Sequence, residues 1–459
     1  MLPLSAGARG YSLPPEVAAA LKQAHIPLDG IGVYVRDISQ AKPLLDIGGD
    51  WPMSPASTMK LLTTYAGLEL LGPAYTWKTE VYADGPVSGG VLHGNLIFKG
   101  YGDPDLTLER FWLLLRQLRQ QGLHRIDGDL VLDKSYFDIS IGDPGTFDGE
   151  PYKTYNVAPE ALLIGFQAIA FRFWTEDGNV RIAADPSPES LHIVNHVQTG
   201  GGDCGAWRDT VAERVSSGPQ GVTVEFTGLY PAACGEQSRV LSLFRNGDYI
   251  HSVFQQLWQE LGGEFQGRER SGSVDPGARL LASLPSVPLA EAVRDINKYS
   301  NNTMARDLFL TLGADTISPP GTLAKSNNAV HCWLAAKGLD FPELVLENGS
   351  GLSRTERISA RHLGELLVSA YHSPVMPEYV SSLPISARDG TMKKRLREQW
   401  TAGMAHIKTG TLDGVKAIGG YLQDQQGRQM AVVFLINHAY AAGGGKAQDA
   451  LLDWLYRRP

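Results

Sequence analysis

The chain has 459 residues, which argues for two or three domains, and its 43% hydrophobic content is that of a globular protein able to bury a sizeable core. A net charge of −8 disfavours nucleic acid as a partner, and no arginine-rich stripe interleaved with aromatics offsets it. No apolar run is long enough to span a bilayer; the longest, "MAVVFLI" at Met430–Ile436, reads as a buried strand.

In chain order, the opening "MLPLSAGARGYSLPPEV" lacks the basic-then-apolar pattern of an export signal, which leaves either a cytoplasmic protein or an exported one whose signal has been removed. "VAAALKQAHIP" predicts a helix, and "IGVYVRD" (Ile31–Asp37) alternates like a strand. In "SPASTMKLLTTYAGLELLG", Ser57 stands three residues before Lys60 at the head of an apolar helical run. From about Thr79 to Val240 the chain is rich in Gly, Pro, Asp and short β-like runs such as "VLHGNLIFKG", "IAFRFW" and "GVTVEF". These predict one or two mostly β insertions, with no fixed-period repeat.

Of three cysteines, Cys204 and Cys234 share this Gly/Pro-rich segment and Cys332 sits in the helical pattern "NAVHCWLAAKG". One disulfide between the first two is expected, with Cys332 a buried free thiol; two unpaired thiols are the alternative. Such a bridge would contribute about 3–4 kcal/mol in the chain-entropy model and would imply an oxidising compartment. His192 and His196 have a ligand-like spacing, but along a strand it spreads them too far apart to share an ion, so no metal or other cofactor is expected. Helical patterning resumes with "DYIHSVFQQLWQELGG", stopped by Gly262 and Gly263, and continues through "PLAEAVRDINKYSNNTMARDLFLTLG". The chain closes with two strands in "VKAIGGYLQDQQGRQMAVVFLINH", joined by a polar turn at Gly427, and a last helix, "KAQDALLDWLYRR". Strands at both ends flanked by terminal helices predict one helix-covered sheet assembled from the two termini.

Ser57-Thr58-Met59-Lys60 alone carries little weight, since a chain of this length should hold about one Ser-x-x-Lys by chance. An ordinary capped helix with a solvated lysine would look the same. Its setting is more informative. Residues three apart on a helix are neighbours, so Lys60 can reach Ser57. The helix N-terminus favours an anion near the hydroxyl, and a buried lysine can be neutral near pH 7 and accept a proton. Two further stretches join it. "YSNN" places Ser300 and Asn302 two apart at a loop-to-helix junction, where N-capping is the plainer explanation. "HIKTGTLDG" places Lys408, Thr409, Gly410 and Thr411 on an edge strand, where a solvated strand end is the plainer one. Chance Lys-Thr-Gly is expected in fewer than about one such chain in ten, and all three signatures in this order are rarer.

With those residues in hand, the chain resembles the penicillin-binding proteins and serine β-lactamases, whose signatures are Ser-x-x-Lys, Ser-x-Asn and Lys-Thr-Gly. It most resembles the low-molecular-weight class C group, the D-alanyl-D-alanine carboxypeptidase/endopeptidases of the S13 peptidase family, which carry a long insertion between the first two motifs. "ENGSGLSR" (Glu347–Arg354) and "ARDGTMKKR" (Ala387–Arg395) are also similar to stretches of that family. The resemblance implies an α/β (α+β) transpeptidase-like fold, an antiparallel sheet covered by helices, with mostly β inserted domains. The expected partition is a catalytic domain at 1–80 and 276–459, an inserted domain II at 81–165 and 240–275, and an inserted domain III at 166–239.

The resemblance also implies roles. Ser57 would attack the penultimate D-alanine carbonyl with Lys60 as base, giving an acyl-enzyme that β-lactams also form. Ser300 would relay a proton to the leaving amine, Asn302 would contact the substrate amide and Lys60, and Lys408 would direct positive charge toward Ser300 and the terminal carboxylate. Thr409 or Thr411 would bind that carboxylate beside Gly410, and the Ser57 and Thr411 backbone N–H groups would form the oxyanion hole. For the stem-peptide side chain, family members use an acid, an aromatic and an arginine. Arg354 fits the arginine, and Glu150 and Tyr155 fit best in "TFDGEPYKTYNVAPEA", with Asp148 the competing acid and Asp413 lining the same region. The partners implied are peptidoglycan stem peptides and muropeptides, with β-lactams as covalent inhibitors; a homodimer is compatible with this reading, and the location implied is periplasmic or extracytoplasmic. Rival readings are a serine β-lactamase, for which no deacylating glutamate loop is identifiable, and a catalytically silent receptor for β-lactams or wall peptides.

Overall fold

The computed structural model describes residues 12–140 and 142–458. The opening stretch read for an export signal lies, up to Tyr11, outside the described residues. Contacts divide the chain into two units, Met1–Thr76 with Val287–Pro459, and Trp77–Ser286.

The first unit is built around one antiparallel sheet. Its strands are β1 (Ile31–Asp37), β2 (Leu45–Ile47), β3 (Ala405–Leu412), β4 (Val415–Gln423) and β5 (Gln429–Asn437), in the order β3-β4-β5-β1-β2. The two ends of the sequence therefore meet at the β1–β5 pairing, where Val33 faces Phe434. The polar link "DQQG" between β4 and β5 turns at Gly427 with φ +79°, which a residue bearing a Cβ rarely adopts. Met430–Ile436 is buried throughout, which is why this strand reads as a continuous apolar run rather than an alternation.

Helices cover both faces. On one, Val17 and Leu21 of α1 (Pro15–Gln23) pack with Leu451, Leu452 and Leu455 of the C-terminal helix (Gly445–Arg457) against Val33, Ile407, Val432 and Phe434. On the other lie α2 (Lys60–Leu71) and the helix Ala360–Tyr371. Gly364 of that helix stands where a Cβ would fall 2.1 Å from the Tyr34 ring, and Gly419 of β4 stands against Leu61, so two bare positions let helix and sheet close together. Every residue of α2 from Lys60 to Leu68 is buried, as expected of a helix at the centre of a domain rather than on its surface.

The second unit holds a five-stranded sheet made of Glu269–Ser271, Leu130–Asp133, Leu96–Gly100, Lys78–Ala83 and Arg279–Pro285. Two three-stranded sheets also belong to it. One joins Asn179–Asp185, Ile169–Glu176 and Gln237–Leu241; the other joins Leu191–Gly200, Gly221–Pro231 and Val211–Gly218. Sheet membership supports, as a proposal, the finer division into an inserted domain near 166–239 and a remainder. The expectation of a mostly β insert passed over the helix Leu108–Gln120, which Thr107 caps through the Arg110 N–H and which buries Phe111, Leu114, Leu115 and Leu118. Gly262, at φ +75°, follows the helix Asn246–Glu260. The insert begins and ends on paired strands: Trp77 donates its N–H to Ser286 Oγ at 2.9 Å, and the Ser286 N–H returns to the Trp77 carbonyl at 2.9 Å.

Cys204 and Cys234 are joined by a disulfide within this unit. The reading of Cys332 needs correction: it is exposed. On the helix Leu323–Ala336 the inward stripe is taken by Ser326, Ala329, Val330, Trp333 and Leu334, so an apolar-looking neighbourhood leaves the thiol on the outer side. Among the described residues no helix is long and apolar enough to cross a membrane.

Candidate active site

All three signatures fall in the first unit, where the sheet edge and two helix starts bring them together. Ser57 lies in a 3₁₀ turn, Ala56–Met59, that runs directly into α2. The turn is entered through Ala56, buried and held at φ +44°, a left-handed conformation that costs a non-glycine residue roughly 1–2 kcal/mol. The segment Gly349–Gly351 presses on it: a Cβ at Gly351, itself at φ +81°, would fall 1.9 Å from the Ala56 carbonyl oxygen. Gly410 of β3 does the same from the sheet, where a Cβ would fall 2.9 Å from both the Pro55 oxygen and the Ser57 nitrogen. The Lys-Thr-Gly glycine is thus what lets the edge strand lie against the backbone of Ser57.

Lys60 is fully buried at the head of α2. Its Nζ lies 3.0 Å from Ser57 Oγ, 2.6 Å from Asn302 Oδ1 and 2.5 Å from the Ser350 carbonyl oxygen. A neutral amine has two N–H donors and one lone pair. Asn302 Oδ1 and the Ser350 carbonyl take the two donors, which aims the lone pair at the Ser57 hydroxyl. Burial, with Lys408 and Arg306 as nearby like charges, holds this amine well below the ordinary lysine range. This environment favours the neutral amine, whose lone pair can accept a proton.

Ser300 ends the helix Leu289–Tyr299 in the left-handed region at φ +58°, and Asn301 caps the next helix, Asn302–Thr316, through the Met304 N–H at 3.1 Å. Capping and chemistry are split between neighbours: Asn301 caps, leaving Asn302 to face Lys60. Lys408 is fully buried, and its Nζ donates to Ser300 Oγ at 2.8 Å and to the Thr409 carbonyl at 2.8 Å. Burial lowers it to about 7. Thr409 is half-buried with its Oγ1 2.7 Å from Thr391 Oγ1, while Thr411 is exposed. Arg354 reaches the Asp413 carbonyl oxygen at 3.5 Å, and both residues are exposed.

In the second unit, Tyr155 donates its hydroxyl to Asp148 Oδ2 at 2.8 Å, and burial with this carboxylate raises the phenol to about 12. The Glu150 N–H bonds the same Asp148 at 3.0 Å, and its carboxylate lies 3.8 Å from Lys153. Asp148, read as the competing acid, is thus the one that holds Tyr155. His192 and His196 are exposed on the strand Leu191–Gly200, His196 beside Glu225 at 3.7 Å.

Three contributors had no role assigned from sequence. The Ser350 carbonyl belongs to "ENGSGLSR". Glu356, fully buried, accepts the Glu347, Asn348 and Gly349 N–H groups on one oxygen at 3.2, 2.9 and 2.8 Å and so shapes the turn that presents that carbonyl. Thr391 belongs to "ARDGTMKKR". Dense Gly, Asn and Ser between two glutamates was the available signal for the turn; nothing local announces a backbone carbonyl as a ligand for an amine.

A family model described as "D-Ala-D-Ala carboxypeptidase 3 (S13) family" matches residues 13–458. The chain is 28% identical to the D-alanyl-D-alanine carboxypeptidase of Actinomadura sp. (strain R39), over 97% of this chain and 85% of the relative. It is 27% identical to the D-alanyl-D-alanine carboxypeptidase DacB of Haemophilus influenzae, over 90% and 86%. Among solved structures it is similar to penicillin binding protein 4 of Haemophilus influenzae, with a TM-score of 0.78 and 25% identity over 96% of this chain and 100% of that one. The same protein has been solved complexed with a β-lactam, at a TM-score of 0.76.

Proposed function

Because the chain belongs to the D-Ala-D-Ala carboxypeptidase 3 (S13) family, we propose that it is a serine DD-peptidase acting on peptidoglycan stem peptides, both as D-Ala-D-Ala carboxypeptidase and as DD-endopeptidase. The observation that carries this reading is the Lys60 amine, buried and ringed by Ser57 Oγ, Asn302 Oδ1 and the Ser350 carbonyl.

Ser57 Oγ attacks the carbonyl carbon of the penultimate D-alanine while its proton passes to Lys60 Nζ. The oxyanion is met by the Ser57 and Thr411 N–H groups; one such donor is worth about 10²–10³ in rate. The C–N bond then breaks, and the leaving amine takes a proton by way of Ser300, whose hydroxyl is hydrogen-bonded to Lys408. An ester on Ser57 remains. Water, deprotonated by Lys60, hydrolyses it and restores the serine. A β-lactam enters the same way, but its leaving nitrogen stays tethered to the acyl group, so penicillin labels Ser57 and persists. Lys408 and Thr409 or Thr411 hold the carboxylate beside the scissile bond, and Arg354 is assigned to the stem-peptide side chain. Such a substrate lies outside the cytoplasmic membrane, and the Cys204–Cys234 disulfide fits that oxidising location.

Mass spectrometry of purified muropeptides after incubation tests the reading. Wild type should release D-alanine and split cross-linked dimers, and Ser57→Ala should do neither. Rapid nitrocefin turnover without D-alanine release would replace the peptidase by a β-lactamase; binding of muropeptides without cleavage would replace it by a silent receptor.

A further inference from the structure

The turn that touches Thr409 is more firmly held than a surface loop requires. Thr391 lies in the 3₁₀ turn Gly390–Met392, with Met392 fully buried beneath it. Asp389, just before, accepts the Ile385 N–H at 2.7 Å and the Lys298 ammonium at 2.7 Å. Lys298 is buried, two residues before Ser300, and also donates to the Leu383 carbonyl at 2.6 Å. Gly390 sits at φ +53°, and a Cβ there would fall 2.6 Å from the Lys298 carbonyl oxygen. The pair of buried Lys298 with half-exposed Asp389 therefore ties the Thr391 turn to the segment that presents Ser300, and leaves Thr391 Oγ1 at 2.7 Å from Thr409 Oγ1.

A hydroxyl has one proton and two lone pairs. When Thr409 turns its proton toward an incoming carboxylate, its oxygen is free to accept, and the atom fixed beside it is Thr391 Oγ1. The pair then forms a chain in which Thr391 O–H donates to Thr409 Oγ1, and Thr409 O–H donates to the carboxylate. Each link polarises the next, which strengthens the terminal bond to a charged acceptor. We propose that Thr391 is a positioning residue for recognition of the substrate carboxylate, acting through Thr409 and setting the preference for substrates that carry a free carboxylate next to the scissile nitrogen. This rests on the DD-peptidase reading and adds to it a residue outside the three signatures.

The test compares wild type, Thr391→Val, Thr391→Ser and Thr409→Val on a peptide ending in D-Ala-D-Ala and on the same peptide ending in the carboxamide. Thr391→Val should lower kcat/KM about tenfold on the free acid and by no more than about twofold on the amide, a loss the size of one hydrogen bond to a charged group. Thr391→Ser should restore the wild-type ratio of the two, and adding Thr391→Val to Thr409→Val should cost nothing further. Acylation by benzylpenicillin and by its methyl ester should divide the same way. Equal losses on acid and amide would show a merely structural turn and overturn the proposal, as would no loss at all or full additivity with Thr409→Val. A wild type that neither releases D-alanine nor is acylated at Ser57 would overturn the peptidase reading and this inference with it.

Discussion

Two fully buried lysines face the same small volume with opposite requirements. In the proposed mechanism Lys60 must be neutral to accept the Ser57 proton, and Lys408 must be charged to attract a carboxylate. Below its own depressed pKa Lys60 carries a proton and cannot act; above about 7 Lys408 loses the charge that substrate needs. The profile of kcat/KM should therefore be bell-shaped, with its alkaline limb near the Lys408 value. A bound carboxylate favours the protonated lysine, so the alkaline limb of kcat should lie at higher pH than that of kcat/KM. Lys408→Arg keeps the charge at every accessible pH and should abolish the alkaline limb while lowering activity through misfit. Persistence of that limb in the arginine variant would assign it to another group. The linkage has a definite sign as well. Between about 7 and the ordinary 10.5, the unfolded chain holds a proton on Lys408 that the folded chain does not, so this residue's share of stability rises with pH across that window.

At the scale of elements, the close approach of β3 to the Ser57 turn rests on Gly410. Gly410→Ala would drive a methyl into the Pro55 oxygen and Ser57 nitrogen, each 2.9 Å from the added carbon. Strand or turn must move. Penicillin acylation is expected to fall about a hundredfold, the usual consequence of a displacement near 1 Å at reacting groups. Urea unfolding of the same variant should show a loss of only about 1–3 kcal/mol. Helix α2, which carries Lys60, is anchored at its far end by Glu69. That carboxylate accepts from Tyr65 at 2.9 Å, Ser373 at 2.7 Å, Trp333 at 2.8 Å and Lys337 at 2.7 Å. Burial pushes Glu69 up, but these donors outweigh it and hold it below the usual glutamate value of 4.5. Its contribution is therefore present above pH 4.5 and is lost as pH falls through the lower folded value. Glu69→Gln should cost about 2 kcal/mol in urea unfolding at pH 7 and flatten the acid decline below pH 4.5; an unchanged acid profile would show that the charge is not what anchors the helix.

On the scale of the molecule, the chain leaves the first unit at Thr76 and re-enters it at Val287. On the first unit's side of that junction, Leu289 donates its N–H to the Tyr75 carbonyl at 2.8 Å and Ala290 to Pro73 at 3.0 Å. The first unit has its own apolar core, running from Val17 to Leu455, and contains every group of the Ser57 constellation. Replacing Trp77–Ser286 by a short Gly/Ser linker should leave a folded protein whose Ser57 is still acylated by penicillin within about tenfold of the full chain, since loop length is a weak entropic term. A cooperative melt and a fluorescent-penicillin label would check it. Loss of both would mean that the catalytic unit cannot stand without its insert.

The local pattern carried much of the architecture. Ile31–Asp37, the paired strands around Gly427 and the last helix were legible because period, turn residue and apolar run agreed. The three signatures were legible because each needs particular residue types within a few positions, and the one-turn spacing of Ser57 and Lys60 is itself a helix property. The outward turn of Cys332 was not, because helix position alone does not say which stripe the core will take. Nor did spacing assign the Ser350 carbonyl, Glu356 or the Thr391–Thr409 pair any part. A backbone oxygen has no residue identity, and a threonine gains a role only from what folds against it. Sequence determined which side chains could donate, accept or attack. Packing decided which were stripped of water, and for an amine that loss of solvation separates a solvated cation from a base.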